Sequence, residues 1–219
     1  MRHHGDVTDL SLHRHKERGS TERAALDAIL DDVLAGTLST VVDGRPWVVP
    51  MLFARDGDRI LLHGSTGAGA LRHVAAGAPA ALAVIAVDAL VVGPTTFDSS
   101  ANYRSAVVHG VLTPLGDEDR TVALDALSER ILPGRTSEVR PMTRQEQAKT
   151  LAMALPITEG AFMVKTRTGT ASPPTEPTEA WHGLVELRTV ALDPVPAPTS
   201  TAAEVPRSVR DFAGARVLA

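Results

Sequence analysis

The stretch LLHGSTGAGALRHV, residues 61–74, gathers the residue types best suited to hold an anion. Gly64, Gly67 and Gly69 let the backbone approach a ligand with no Cβ in the way. Ser65 and Thr66 add hydroxyl donors, and Arg72 and His73 add charge. A helix beginning at Gly69 would present unpaired N–H groups and the positive end of its dipole to a phosphate. The same residues also suit an ordinary turn with a capped helix, and residue type alone leaves both readings open. Gly67, Gly69 and Arg72 fall at the spacing of a dinucleotide fingerprint whose third glycine is missing.

A second polar cluster is NYRS, residues 102–105, set between apolar runs. Arg104 can pair with a phosphate or an electron-rich carbonyl edge, and Tyr103 can stack or donate a hydrogen bond. The alternative for Arg104 is a carboxylate partner at the surface. Trp181 follows a Pro-rich loop, where its indole either covers a flat ligand or packs in the core. His63 and His109 lie at or within strands, as acid–base groups or as hydrogen-bonded structural residues. No Ser–His–Asp order, paired-carboxylate pattern or His-x-x-x-His helix supports a hydrolase or a metalloenzyme. His3, His4, His13 and His15 sit among basic residues with no compact ligand spacing and read as a solvated tail.

Bulk properties narrow the classes further. A chain of 219 residues can bury one good core, and 43% hydrophobic with 22% charged residues is ordinary for a globular protein. Aromatics are only 3%, so aliphatic side chains and alanine must fill the interior. A formal charge of −4 argues against nucleic acid as a partner. The absence of cysteine removes disulfides, thiolate metal sites and cysteine nucleophiles, and fits a cytoplasmic protein. No signal peptide or bilayer-length apolar run is visible, so no membrane partner is expected.

The elements that must position these groups follow from periodicity. Ser20 or Thr21 caps a helix with Leu26, Ile29, Leu30, Val33 and Leu34 on one face, stopped by Gly36. TLSTVVD and RPWVVPMLFA form a hairpin around Asp43-Gly44, and RILLH returns as a third strand. Pro46 and Pro50 place the middle strand at an edge or bulge, with backbone free for another partner. GALRHVAAG is a short helix, AALAVIAV and ALVVGPTTF two strands, and SAVVHGVLTPL another. A helix follows Asp117, and Thr143 with Glu146 caps one running through Ala152. GAFMVKTRT and WHGLVELRTVAL close the set. This order lacks the alternation of a doubly wound sheet, which removes the dinucleotide fold. It predicts a mainly β protein with helices, an antiparallel barrel or meander. The expected divisions are an arm at 1–19, a domain at 20–192 with a helical insertion near 117–152, and a Pro/Ala-rich tail at 193–219.

The ordered set of the leading helix and its strands, NYRSAVVHG, PGR and WHGL resembles the pyridoxamine 5′-phosphate oxidase-like, FMN-binding split-barrel family, in its nitroimidazole-resistance branch. The resemblance covers residues 21–187. It implies a six-stranded antiparallel split β-barrel, a homodimer with flavin at the interface, and FMN-dependent oxidoreductase chemistry. In that family the strand matching Val48, Val49, Pro50 and Met51 lies along the isoalloxazine ring. The segment matching His63, Gly64, Ser65 and Thr66, with the helix start at Gly69, Ala70 and Leu71, holds the phosphate. Residues matching Tyr103, Arg104 and Ser105 approach the ring or phosphate, and Trp181 helps close the site. The alternative for His63, beside the phosphate loop, is to face the ring as a proton donor. Two departures stand out: Glu186 replaces a proline, and GALRH replaces a Ser-Arg-Lys run, which points away from pyridoxamine phosphate as substrate. A non-enzymatic flavin carrier or sensor, or the same fold holding F420 or haem, is the alternative.

Overall fold

In the computed structural model, which describes residues 10, 12–67, 69–202 and 204–214, ten strands and five helices follow in order. They are β1 (Gly19–Ser20), α1 (Arg23–Asp32), β2 (Ala35–Val42), β3 (Arg45–Asp56), β4 (Arg59–Ser65), α2 (Gly69–Ala75) and β5 (Pro79–Val92). β6 (Ser100–Val111), β7 (Thr113–Pro114), α3 (Asp117–Ile131) and α4 (Arg144–Ala148) come next. β8 (Thr150–Pro156), β9 (Phe162–Arg167), β10 (Gly183–Glu186) and α5 (Arg207–Gly214) complete the chain. The expected arm and tail lie outside the described residues at 1–9, 11, 203 and 215–219.

Hairpin chemistry drives the first half. Asp43 and Gly44 both take positive φ, 50° and 73°, the pair of left-handed residues a two-residue turn needs. Val42 therefore faces Arg45, and the register runs to Ala35 opposite Leu52. Every pairing is antiparallel, in the order β1-β9-β6-β5-β2-β3-β4-β8-β7, with β10 added to β5. The sheet curls until β6 meets β8 at Gly110, where a Cβ would lie 2.9 Å from Leu155 Cδ1. No ladder joins β8 to β9 among the described residues, so the barrel is split. The split-barrel expectation holds, with more strands than the six expected, two of them of two residues.

One core fills the curl. Leu38, Phe53, Ile60, Leu62, Leu82, Val108 and Met153 point inward, and α1 plugs one side with Leu26, Ile29 and Leu30. Each buried leucine or isoleucine contributes roughly 1.5–3 kcal/mol. A smaller cluster lies outside β3, β4 and β8, where Ala123, Leu124 and Leu127 of α3 cover Ala54, Leu61, Ala152 and Ala154. Among the described residues no helix is long and apolar enough to cross a membrane.

Four expectations are corrected. α1 ends at Asp32 because Arg130 of α3 donates to the carbonyls of Leu30, Asp31 and Val33, taking over the capping that Gly36 was expected to serve. Gly36 instead sits in β2, where a Cβ would press on Leu82 and Val84 at 3.0 Å. The helix capped by the Thr143–Glu146 box forms as expected but stops at Ala148, and the run LAMAL becomes β8. That strand is buried on both faces, and short apolar runs take the state their surroundings impose. The two strands expected across residues 80–97 are one long β5, bulged between Val87 and Ala89. The closing strand is only four residues. Within the Pro/Ala-rich segment at 193–219, α5 forms, and its Ser208 N–H and hydroxyl donate to Glu138.

Candidate functional site

β3 divides its partners along its length. Residues 45–52 pair with β2 on one side, and only residues 53–56 pair with β4 on the other. Beyond Leu62, β4 pairs only with β8, through Ala152, Leu151 and Thr150. A slot therefore opens between residues 45–52 of β3 and residues 63–65 of β4. Phe53 N–H donates to Leu34 C=O toward β2. Strand alternation sends the N–H groups of Val49 and Met51 the same way and those of Val48 and Leu52 into the slot. Pro46 and Pro50 occupy the other slot-facing positions and lack an N–H, so no ladder is lost there. The edge expected from these prolines is present. Val48, Pro50 and Leu52 have exposed side chains, while Val49 and Met51 pack against the core.

α2 floors the slot. Leu71 and Val74 enter the main core, and His73 Nε2–H donates to Val41 C=O of β2 at 3.0 Å. Gly64 allows this seating, because a Cβ there would collide with Leu71 Cδ1. The loop before α2 is held by Lys149: its carbonyl accepts from Thr66 N–H at 3.2 Å and from the Thr66 hydroxyl at 3.3 Å. Gly67 N–H donates to Ser65 Oγ at 3.2 Å. Ser65, Thr66 and Gly69 are exposed. Ser65 keeps its own hydroxyl proton for a ligand, whereas Thr66 has spent both donors on Lys149. The side chain of Ala70 is outside the described residues.

His63 ends the buried part of β4, directly opposite Ala152. Its Nδ1 is buried and makes no hydrogen bond. Burial pushes the imidazole below its ordinary value of 6.5, so the ring is neutral near pH 7. A neutral imidazole without a partner can ligate a metal centre or exchange a proton with a ligand.

The other expected residues stand elsewhere in the same chain. β6 is three strands from β3, about 14 Å across the sheet at roughly 4.8 Å per strand. Tyr103 and Ser105 face outward there, opposite Arg167 and Lys165 of β9. Arg104 points inward and pairs with Asp32 of α1 at 2.5 Å and Asp88 of the β5 bulge at 2.7 Å. The hydrogen bond to Asp88 raises its pKa above the ordinary arginine value. The carboxylate partner weighed for Arg104 is thus realised, with two acids in place of one. Trp181 is 66% exposed and lies over Gly183, at the start of the strand that pairs with the end of β5.

Sequence reasoning missed Lys149. Its position beside the loop depends on Ser65 facing Thr150, a register made by a strand whose first three residues were expected to end a helix. Its side chain is exposed. Also missed was a continuous outward apolar face. Val48 lies across from Ser39 and Ala81, and further along the same side of β5 are Ile85, Val87 and Leu90, the last opposite Val185. Ile85 is 61% exposed and Val48 58%.

The family model described as pyridoxamine 5′-phosphate oxidase matches residues 22–162. No curated protein matches the sequence. Among solved structures, the FAD and haem binding protein from Mycobacterium smegmatis is 40% identical with a TM-score of 0.86, over 89% of this chain and 97% of that one. The flavocytochrome Anf3 from Azotobacter vinelandii is 25% identical with a TM-score of 0.85, over 94% and 97%. A 5-nitroimidazole antibiotic resistance protein of Bacteroides thetaiotaomicron shares the fold at 17% identity and a TM-score of 0.56, over 67% and 85%.

Proposed function

The chain belongs to the pyridoxamine 5′-phosphate oxidase family, and on that footing we propose that it binds a flavin between β3 and β4 and acts as an oxidoreductase. The observation that carries this is its near-complete likeness, at 40% identity, to a protein that binds FAD and haem. The family resemblance implies FMN; the two relatives that span this chain support a flavin together with haem, and FAD is the form we propose first. The flavin supplies hydride and single-electron transfer when bound. The chain's own part is to hold it. Val48 and Leu52 N–H groups are donors for the polar edge of a ring, and Val48 and Pro50 offer it apolar surface. The Ser65 hydroxyl, Lys149 and Arg72 suit a phosphate.

Haem is favoured by a specific observation, the unpartnered neutral nitrogen of His63. A neutral imidazole is one of the side chains that can hold haem iron. The groups on β6 and β10 stand apart from the slot within one chain, and a second copy packed on the outward apolar face would bring its own Tyr103, Ser105 and Trp181 toward it. A homodimer is therefore part of the proposal, as is a cytoplasmic location, for which the cysteine-free sequence is the support.

Fluorescence titration with FAD and FMN tests the slot. The native chain should quench either flavin, FAD at lower concentration, and Lys149→Ala should weaken binding about tenfold, the effect of one charge-assisted contact of roughly 1.4 kcal/mol. No quenching by either flavin sinks the proposal. Oxidation of reduced pyridine nucleotide with a dye acceptor separates an oxidoreductase from a passive carrier.

A further inference from the structure

A polar cavity lies far from the slot. It encloses about 750 Å³ between the N-terminal turn, the loop after β5 and the end of β9. Arg14 and Arg18 enter it from the turn and Arg167 from β9. β9 is five strands from β4 in the sheet order, so this is a separate place on the molecule.

Three features of the cavity point to one ligand chemistry. Arg167 is set in place by a buried amide: its Nη1 donates to Asn102 Oδ1 at 2.8 Å and to Ala101 C=O at 3.3 Å. Asn102 is 7% exposed and spends its Nδ2 on Gly169 C=O at 3.0 Å, which fixes the adjoining loop. A guanidinium held this way keeps its fork ready for an oxyanion. The acids present are already engaged: Glu17 by His15 at 3.3 Å and Arg18 at 3.7 Å, Asp98 by the Thr95 hydroxyl at 2.5 Å. The hydroxyls of Ser100, Thr166 and Thr168 line the same wall. Phe97 stands at the cavity 95% exposed, an aromatic face with almost no protein against it.

We propose that this cavity binds a nucleoside phosphate, the phosphate held by Arg167 and Arg14 and the base stacked on Phe97. Guanidinium forks match phosphate oxygens, and a bare aromatic ring is a stacking platform for any base. The volume suits a ligand of nucleotide size. The same chemistry is carried by a free nucleotide and by the adenylate half of FAD. The inference does not rest on the flavin reading, because binding at this cavity is read directly.

The experiment is calorimetric titration of the full-length protein with ADP and, separately, inorganic phosphate, followed by competition with FMN and with FAD. ADP should bind, and Arg167→Ala and Arg14→Ala should each weaken it about tenfold, as removal of one charge-assisted pair does. Arg14→Ala leaves the Asn102 contact intact, so its effect is not that of misfolding. Phe97→Ala should weaken ADP and leave inorganic phosphate unchanged. Displacement of ADP by FAD but not FMN identifies the occupant as the adenylate half of the flavin; displacement by neither identifies a free nucleotide. Both uphold the site. Displacement by FMN would put ADP in the flavin slot and overturn the inference. So would no ADP binding, or binding unmoved by all three substitutions.

Discussion

His63 reports on its own surroundings through acid. The folded chain resists protonating it because the ring is buried, whereas the unfolded chain accepts a proton near 6.5. Below that pH the unfolded state binds more protons, so stability falls as pH drops from about 6.5 toward the depressed folded value. Above 6.5 the group contributes no pH dependence. Thermal melts from pH 8 to pH 5 should show the native chain losing more stability than His63→Gln over the acid half; parallel curves would mean the ring titrates freely. At this scale the sequence was half legible. Glycines, serine and histidine in one run identified the loop and the strand end. Arg104 looked equally ready for a phosphate, and only the docking of the C-terminal end of α1 brings Asp32 within 2.5 Å of it. A residue's type states what it can bind; its partner is chosen by elements far away in the chain.

Elements decide whether the slot exists. α2 must sit under it, and Gly64 leaves room for Leu71 to do so. Gly64→Ala should force that helix outward, costing about 1–3 kcal/mol as overpacking does, with flavin uptake lost in parallel. Leu71→Ala in the same chain should recover part of the uptake by removing the collision. A Gly64→Ala protein with native melting temperature and native flavin affinity would show that α2 is not the floor. Turn chemistry was readable here: Asp43-Gly44 and the Thr143–Glu146 box form as their residues demand. β8 was not, because Leu151, Met153 and Leu155 have no alternating polar partners. Both faces of that strand are covered, by the core and by α3, which erases the period that marks a strand. With residues 150–152 of β8 taken for the end of a helix, the contact between Lys149 and the loop was invisible too.

The whole molecule carries an apolar face that a single chain leaves in water. Ile85, Val87, Leu90, Val48, Leu52 and Val185 share the outward side of one sheet, and contiguous exposed apolar surface of this kind marks an interface. Light scattering should give a dimer for the native chain and a monomer for Ile85→Asp, which places a charge in the middle of that face. A native monomer at working concentration would remove the second copy from the proposal. Because Tyr103, Ser105 and Trp181 sit away from the slot in one chain, the monomeric variant should also hold flavin less tightly. The barrel was legible from strand order and turn signals, whereas the assembly was not. A dimer enters only through family resemblance, since alternation along β5 reads the same whether its outer face meets water or another chain. The central claim remains the cofactor. Its most direct test is a visible absorption spectrum of the purified protein after incubation with FAD, FMN and haem in turn and removal of the excess. Retained oxidised-flavin bands, with a haem Soret band from the third sample that is lost in His63→Gln, are the predicted result. A protein that keeps no flavin band from FAD or FMN would contradict the account.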